Sequence, residues 1–334
     1  MNRCLATLAN LPREGITAAA QHRLAGGRQN FPARVAITRK QAIQWRTDHV
    51  RDVMSISGMQ DKISVRLLRG VLEPVATGGT HILKPQPPEA SLPEAAEVPA
   101  NEHLTMLIAS TVAGIQTAAC SLVRLADDEL AYVTRRFDRL SDGSKLRQED
   151  LAAATGRSPD GGHLWKYDAS YEEIARTIRT FSQTVDLDLQ ELFRRVLFSY
   201  LIGNGDAHLR NFSFLTEPDG LTRLAPAYDL LCTRLHITED TDLAMPLLER
   251  EREGVASEAE SLRQYGAAEF QAFGAAIGLQ QRWVAKTMAG LTDARCQERI
   301  AGLVGRSFLR PAAQAHYLEV VGTRLGRLRL VVGR

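Results

Sequence analysis

The hydrophobic pattern of this chain changes its period part-way along, and this change limits the folds that it can adopt. Alternating apolar and polar residues predict three short antiparallel strands between Ile63 and Lys84 and a hairpin over residues 122–133. From about Gln148 the apolar spacing becomes helical. The clearest helices are predicted over residues 171–181 and 189–201, and residues 258–328 are predicted to be mainly helical. A β-rich first part followed by a helical second part predicts an α+β protein of two lobes with a ligand cleft between them.

The length of the chain agrees with this division into two lobes. At about 150 residues per domain, 334 residues correspond to roughly two domains. We expect an N-lobe over residues 1–140 and a C-lobe over residues 141–334. The 41 Lys and Arg residues nearly balance the 39 Asp and Glu residues, for a formal net charge of +2. This balance argues against a surface that binds nucleic acid directly through bulk charge.

Cysteine usage and hydropathy indicate the compartment. The four cysteines (Cys4, Cys120, Cys232 and Cys296) form no C-x-x-C pair, so a zinc knuckle is not expected. Scattered single thiols suit a reducing cytoplasm. No apolar run reaches the ~18 residues of a membrane span, and the N-terminal segment has no signal-peptide core. We therefore predict a cytoplasmic protein without membrane contact.

A polar loop after an apolar helix carries the strongest chemical signal. The helix ends near Gly203, and Asp206 and Asn211 follow in the spacing D-x-x-x-x-N. Strands predicted over residues 212–215 and 224–228 then form a hairpin that leads to Asp229. In kinases an Asp of such a loop accepts the proton of the attacking hydroxyl, while the Asn and a second Asp bind magnesium. The alternative is that Asp206 and Asn211 only cap a loop.

His208 lies inside this loop. We consider a structural hydrogen-bonding role first, because a single His most often has one, and a contact to phosphate second.

Before the loop, residues 85–99 hold five prolines and are predicted to be an irregular, mobile segment. Asn101 is then expected to be the N-cap of a helix, with Glu102 in its first turn.

A second candidate region precedes the first strand. A turn at Gly58 with two hydroxyls, exposed backbone N–H groups and a lysine would suit the phosphates of a nucleotide. The candidate contacts in this segment are Ser55, Ser57, Gly58, Gln60 and Lys62. The segment has one glycine and matches neither a Walker loop nor G-x-G-x-x-G, so a plain turn is the alternative.

The end of the third predicted strand and the segment after the hairpin complete the candidate nucleotide site. Lys84 is placed where a kinase has its phosphate-binding lysine, and Glu102 on the next helix is a possible partner for it. A solvated lysine at a strand end is the alternative. The candidate hinge residues are Arg135, Phe137 and Asp138, whose backbone would contact adenine and whose carboxylate would bind a ribose hydroxyl. A simple turn would explain the hinge segment almost as well.

Seven motifs together resemble a known family. They are SISGMQDK (55–62), HILKP (81–85), NEHL (101–104), RRFDR (135–139), QEDLAAATG (148–156), IGNGDAHLRNFSFL (202–215) and APAYDLL (225–231). In this order they resemble the HipA-like serine/threonine kinases of bacterial toxin–antitoxin systems. The chain is short for HipA itself and looks closer to HipT, the compact toxin of three-gene hipBST operons. The resemblance implies the bilobal protein-kinase-like fold of HipA and the PI3-kinases.

The resemblance also implies an activity and a set of residue roles. It implies an ATP- and Mg²⁺-dependent kinase that phosphorylates a serine of an aminoacyl-tRNA synthetase, with the tryptophanyl enzyme favoured, and so inhibits translation. Asp206 would be the catalytic residue, with His208 beside it, and Asn211 and Asp229 would bind magnesium. Lys84 would bind phosphate, with Lys62 and Asp138 near ribose and phosphates. A serine of the phosphate loop, Ser55 or Ser57, would be autophosphorylated.

The implied partners are a HipB-like DNA-binding antitoxin and a small HipS-like protein. Departures from the family pattern are Met59 and Asp61, where Ala and Glu are common, and Arg135, which replaces a hinge Glu. Two other classes of function stay open on the residues alone. One is a catalytically silent kinase fold that acts as a binding partner in a repressor complex, and the other is a kinase of small alcohols.

Overall fold

The computed structural model describes most of the chain. The described residues are 2–27, 30–49, 61–140, 142–162, 164–237, 241–252 and 264–329. The predicted phosphate-loop residues Ser55, Ser57, Gly58 and Gln60 lie outside them. Lys62 and all the other predicted site residues are within the described ranges.

A five-stranded antiparallel sheet forms the first part of the protein. Its strands are β1 (Ile63–Leu68), β2 (Val71–Pro74), β3 (His81–Lys84), β4 (Cys120–Arg124) and β5 (Leu130–Arg135). The order across the sheet is β2-β1-β3-β5-β4, and all four neighbouring pairs are antiparallel. The three predicted strands and the predicted hairpin are confirmed. The register places Lys84, the last residue of β3, opposite Tyr132 of β5.

Helix α3 (Val98–Thr111) crosses this sheet and begins earlier than predicted. Pro99 occupies its first turn, where a proline is tolerated because the N–H groups there have no partner within the helix. The prediction that Asn101 is the N-cap is therefore wrong, since Asn101 is a fully buried residue of the helix itself. The proline-rich segment before it contains two short 3₁₀ turns, Glu89–Ser91 and Ala95–Glu97.

A second, three-stranded sheet carries the hairpin that leads to Asp229. Its strands are β6 (Arg147–Asp150), β7 (Ser213–Thr216) and β8 (Thr222–Leu224), in the order β6-β7-β8. Strand β6 was not predicted. Strand β8 begins two residues before the predicted strand and ends at Leu224, ahead of Pro226, which has no N–H to donate. Ala227 instead forms a parallel bridge with Thr117, which lies just before β4. This bridge brings the chain after β8 against the first sheet.

The remaining described elements are mainly helical. The helices are α1 (Ala18–Ala25), α2 (Arg39–His49), α4 (Leu151–Ala154), α5 (Tyr171–Phe181), α6 (Val185–Leu201), α7 (Ala267–Ala276), α8 (Gln281–Thr292), α9 (Ala294–Arg306) and α10 (Pro311–Arg329). The apolar face of α6 is buried against α7 and α8, where Phe193 stacks on Phe273 and meets Trp283 edge-on. The predicted helices over residues 171–181 and 189–201 are confirmed.

One large hydrophobic cluster extends from the first sheet into the helices. The predicted mixed α+β class is confirmed. The boundary at residue 140 falls between β5 and β6 and stays a prediction. Among the described residues, no helix combines the length and the apolar character needed to cross a lipid bilayer.

Candidate active site

Asp229 lies where the two sheets meet and binds two ammonium groups. Lys62 Nζ donates to its Oδ2 at 2.8 Å, and Lys84 Nζ donates to its Oδ1. The backbone of Asp229 has φ +56°, in the left-handed region that Asp tolerates better than most residues. Burial opposes ionisation of this carboxyl, but Lys62 and Lys84 outweigh burial and hold the pKa of Asp229 well below its usual range.

Lys84 also forms the ion pair that the sequence predicts. Its Nζ is 2.6 Å from Oε1 of Glu102 on α3, and both side chains are buried. Burial alone would lower the pKa of Lys84, but the carboxylates of Asp229 and Glu102 raise it. Burial raises the pKa of Glu102, and Lys84 opposes that rise. The ammonium group of Lys84 is therefore fixed between two carboxylates and stays charged.

Helix α3 holds the segment after Asp229 through the residue next to Glu102. The amide of Asn101 donates to the carbonyl of Cys232 at 2.8 Å, and the N–H of Cys232 donates to Oδ1 of Asn101 at 3.0 Å. These two bonds resemble the hydrogen bonds between paired strands, and they join residues that are 131 positions apart in the sequence. Neighbouring residues of one helix thus position both the lysine that binds Asp229 and the backbone that follows Asp229.

Asp206 lies in the loop after α6 and is bound by a tyrosine. Tyr167 donates its hydroxyl to Oδ1 of Asp206 at 2.5 Å, and Lys166 Nζ lies 3.9 Å from the same oxygen. Burial raises the pKa of Asp206, while the charge of Lys166 and the hydrogen bond from Tyr167 limit that rise. A carboxylate with a raised pKa in a partly buried loop is suited to accept a proton.

His208 is buried and receives a hydrogen bond from Lys166. Nζ of Lys166 is 2.7 Å from Nε2 of the ring. Because an ammonium group can only donate, Nε2 accepts and the neutral ring carries its proton on Nδ1. Burial, followed by the charge of Lys166, lowers the pKa of His208 to about 3. Nδ1 has no hydrogen-bond partner within the described ranges. This geometry agrees with a structural role and leaves one N–H for a ligand.

Two cavities with common walls occupy the junction between the sheets. Their volumes are about 310 and 190 Å³. Both are lined by Lys62, Arg136, Asp138, Gln148, Tyr228 and Asp229. The larger also reaches His208, Arg210 and Asn211, and the smaller also reaches Ile82, Lys84, Ala118 and Phe137. The larger cavity is thus mainly charged, whereas the smaller has apolar walls beside its lysines.

Asn211 and Asp229 both line the larger cavity. The side-chain amide of Asn211 makes no hydrogen bond to the described part of the chain, so its oxygen is available. Carboxylate and amide oxygens suit Mg²⁺. No group of three or more His, Cys, Asp or Glu side chains among the described residues is arranged to hold a metal ion. A magnesium ion here would depend on water and phosphate oxygens for its other ligands, as Mg²⁺ usually does.

The predicted hinge residues border the smaller cavity. The N–H of Arg135 is already bonded to the carbonyl of Ala119, and its guanidinium donates to the carbonyl of Arg23 at 3.3 Å. The ring of Phe137 lies 5.7 Å from that of Tyr228, measured between centroids. The backbone N–H of Phe137 has no partner in the residues that the structure describes, and this makes it the available hinge donor.

Asp138 is brought to both cavities, and two arginines bind its carboxylate. Arg136 donates to its two oxygens at 2.9 and 2.8 Å, and Arg139 adds a bond of 2.8 Å. Burial opposes ionisation of Asp138, but Arg136 and Arg139 outweigh burial and lower its pKa. A carboxylate has about four acceptor positions, so one position remains for a hydroxyl group.

A model of the HipA-like C-terminal domain family matches residues 54–298. The chain belongs to this family. A relative from Haemophilus influenzae is 34% identical over 291 residues, which cover 83% of this chain and 82% of that protein. Another from Sinorhizobium fredii, Y4mE, is 27% identical over 287 residues, which cover 84% of this chain and 64% of that protein. Both relatives carry the name "putative kinase".

Two solved structures share the fold of this HipA-like chain. HipA of Shewanella oneidensis, from a complex with HipB and operator DNA, matches with a TM-score of 0.63 and 22% identity. The match covers 88% of this chain and 71% of that one. The proinflammatory kinase CtkA of Helicobacter pylori matches with a TM-score of 0.52 and 11% identity, covering 83% and 92%. The region that matches the family contains every predicted site residue, from Ser55 to Asp229.

Sequence reasoning missed two residues of this HipA-like site, Lys166 and Tyr167. A signal was present for Lys166, because the chain has only six lysines among 41 basic residues and four of them contact the site or line its cavities (Lys62, Lys84, Lys145 and Lys166). Nothing in the local sequence marks Tyr167. Its role follows from a contact with a residue 39 positions away.

Proposed function

We propose that this HipA-like chain is an ATP-dependent serine/threonine protein kinase. The observation that carries the proposal is the position of Asp229. It lies within bonding distance of two lysines, on a cavity that Asn211 also lines and that borders the loop of Asp206. A lysine paired with a helix glutamate, a catalytic-loop Asp and Asn, and a second Asp are the parts that protein kinases use.

In the proposed reaction the side chains mainly position groups and neutralise charge. Lys84 and Lys62 bind the phosphates of ATP, so their present bonds to Asp229 are rearranged when the nucleotide enters. Asp206 orients the acceptor hydroxyl and takes its proton. Asn211 and Asp229 hold the magnesium ion, which supplies neutralisation of the triphosphate charge when it is bound. His208 offers its Nδ1–H to a phosphate oxygen.

The smaller cavity would hold the nucleoside. Ile82, Ala118 and Phe137 provide apolar walls for the adenine ring, and the N–H of Phe137 provides a hydrogen bond. Asp138 would accept a bond from a ribose hydroxyl. The segment with Ser55, Ser57, Gly58 and Gln60 directly precedes Lys62, so it is expected to cover the phosphates, and Ser55 or Ser57 would be autophosphorylated.

The substrate and partners follow from family resemblance. We propose a serine of an aminoacyl-tRNA synthetase, with the tryptophanyl enzyme first, and inhibition of translation in the cytoplasm as the result. The expected partners are a HipB-like antitoxin and a small HipS-like protein. The Shewanella oneidensis HipA structure, a complex with HipB and operator DNA, supports the first of these partners.

The test is transfer of labelled γ-phosphate from ATP with Mg²⁺ to a panel of purified tRNA synthetases. The control is the Asp206→Asn variant. Label on one synthetase that is absent with Asp206→Asn supports the proposal. Brisk transfer to small alcohols with no labelled synthetase would instead favour a small-molecule kinase. Absence of both transfer and Mg²⁺-dependent nucleotide binding would favour a catalytically silent binding partner.

A further inference from the structure

Four successive residues of the catalytic loop, 206 to 209, are bonded by one short segment, residues 166–171. The bonds are Tyr167 Oη to Asp206 Oδ1 (2.5 Å), Tyr171 Oη to the Ala207 carbonyl (2.9 Å), Lys166 Nζ to His208 Nε2 (2.7 Å) and the Leu209 N–H to the Lys166 carbonyl (3.1 Å). A loop held at every residue cannot shift as a unit without breaking several bonds. The 166–171 segment therefore fixes the position of this loop.

The contacts to the carboxylate of Asp206 all fall on one oxygen. Tyr167 donates to Oδ1, and both Lys166 Nζ at 3.9 Å and His208 Nε2 at 3.7 Å lie nearest to the same atom. No hydrogen bond or ion pair of the described residues uses Oδ2. A carboxylate held by one oxygen keeps its plane and presents the other oxygen in a fixed direction.

We propose that Tyr167 and Lys166 are positioning residues that hold Oδ1 of Asp206, so that Oδ2 is the oxygen that receives the proton of the acceptor. This inference rests on the proposed kinase function. In the step, a lone pair of the acceptor oxygen forms a bond to the γ-phosphorus of ATP. The bond from that phosphorus to the β–γ bridging oxygen breaks, and its electron pair leaves with ADP. The hydroxyl proton passes to Oδ2.

The setting of Lys166 argues against a role in packing alone. Its side chain is buried, and within the described residues its hydrogen bond goes to the neutral imidazole of His208. The ammonium group also lies 4.9 Å from the centroid of the Tyr167 ring, and the nearest carboxylate oxygen, Oδ1 of Asp206, is 3.9 Å away. Burying an ammonium group costs free energy, and a hydrogen bond to a neutral imidazole offsets little of that cost. Apolar residues of similar volume often replace buried charged groups without loss of stability. Burial lowers the pKa of Lys166, and Asp206 opposes that change.

Both positioning residues favour the ionised form of Asp206. Burial raises the pKa of Asp206, and the Lys166 charge and the Tyr167 hydroxyl work against burial. The other charged groups that act on this carboxyl are Asp229, which raises its pKa, and Lys62, which lowers it, with neutral His208 alongside. Removal of the hydroxyl or the ammonium therefore makes Asp206 easier to protonate.

The first test is Tyr167→Phe, which removes one oxygen and keeps the ring. We expect kcat to fall about 10- to 100-fold, the scale on which a small misplacement of a catalytic group acts. The dissociation constant of Mg²⁺-ATP should stay unchanged. The acidic limb of the kcat profile should move to higher pH, because the base works only when ionised. A residue with a role in stability alone would not move this limb.

The matched control is Tyr200→Phe. Tyr200 is fully buried, whereas Tyr167 is half-buried, and Tyr200 donates its hydroxyl to the carbonyl of Tyr265, away from Asp206. This variant should lose at least as much thermal stability as Tyr167→Phe, and it should keep both kcat and the acidic limb of the kcat profile. If it shifts the limb as Tyr167→Phe does, the positioning role is refuted.

A second variant, Lys166→Met, keeps the length of the side chain and removes its charge. It should also move the acidic limb of the kcat profile to higher pH. Lys166→Arg should recover part of the kcat that Lys166→Met loses. If the wild type transfers phosphate and both Tyr167→Phe and Lys166→Met keep its kcat and limb, only this inference fails. If the wild type binds Mg²⁺-ATP but labels no protein, small alcohol or water, the proposed function fails and this inference fails with it.

Discussion

Asp229 and Asp206 are both carboxylates of the candidate site, yet their surroundings act on them in opposite ways. Two lysines bind Asp229 directly and lower its pKa against the effect of burial. Asp206 has a tyrosine as its closest partner and a lysine 3.9 Å away, and burial prevails, so its pKa is raised. Different environments of this kind assign different roles to the same chemical group. Asp229 stays anionic and suits a cation ligand, whereas Asp206 can take up a proton.

The two residues are also positioned by different means. The backbone of Asp229 has a positive φ, and the segment after it is held by Asn101 on α3. The side chain of Asp206 is held by Tyr167, and its backbone is bonded within the loop by Asn204 and His208. A change at Asp229 should therefore affect metal and nucleotide binding, and a change at Asp206 should affect the transfer step.

The largest effect is expected for Asp229→Ala. A single charged group that stabilises a phosphoryl-transfer transition state is worth about 10³- to 10⁵-fold in rate, and we expect a loss on this scale. The variant should also lose the Mg²⁺-dependent part of its nucleotide affinity, measured by titration with and without Mg²⁺. Asp219→Ala, in the turn after β7, is the control and should keep both. Intact Mg²⁺-dependent binding in Asp229→Ala would contradict the ligand role.

Asp206→Asn should lower kcat by about 10²- to 10⁴-fold, the usual contribution of a general base. Because Asp206 is assigned to the transfer step, the affinity for Mg²⁺-ATP should remain. Single-turnover transfer and nucleotide titration on the same preparation measure both quantities. A parallel loss of affinity and rate would remove the distinction between the two carboxylates.

The two lysines that bind Asp229 should differ in their effect on stability. Lys84→Met leaves Glu102 buried without its partner, which should lower the free energy of unfolding by about 3–5 kcal/mol. The side chain of Lys62 is 36% exposed, so Lys62→Met should cost at most about 1 kcal/mol. Urea unfolding measures both. The double variant Lys84→Met/Glu102→Gln should recover part of the loss, and equal effects of the two single variants would refute this account.

The smallest expected effect is a difference between the pH dependence of turnover and that of nucleotide binding. Asp206, whose pKa is raised, is protonated before Asp229 as the pH falls. The value of kcat should therefore decline while Asp229 is still ionised. Nucleotide binding that depends on Mg²⁺ should then persist to lower pH than turnover does. Both are measured from about pH 8 to pH 4, a range that ends near the ordinary pKa of Asp. The residual rate of Asp206→Asn should lack this acidic limb, and coincident limbs for binding and turnover would contradict the comparison.

The predicted parts of the fold are those whose signal is local. Alternation over Ile63–Leu68 and His81–Lys84 placed two central strands, and helical spacing placed α5. The order of Asp206, Asn211 and Asp229 around a hairpin also predicted that they would approach one cavity, although only Asn211 and Asp229 line it. Strand β6 was missed because its four residues, Arg147–Asp150, are polar and become a strand only by pairing with β7.

The sequence by itself identified the candidate residues of this HipA-like protein, since residue type and spacing mark Lys84, Asp206, Asn211 and Asp229. Only the tertiary structure decided how these groups are held. Asn101 has the local character of an N-cap, yet its partner is the backbone of Cys232, and Tyr167 acquires its role through Asp206. Secondary-structure propensities depend only on residues that are close in the sequence. A hydrogen bond between distant residues depends on the whole fold to bring its two ends together.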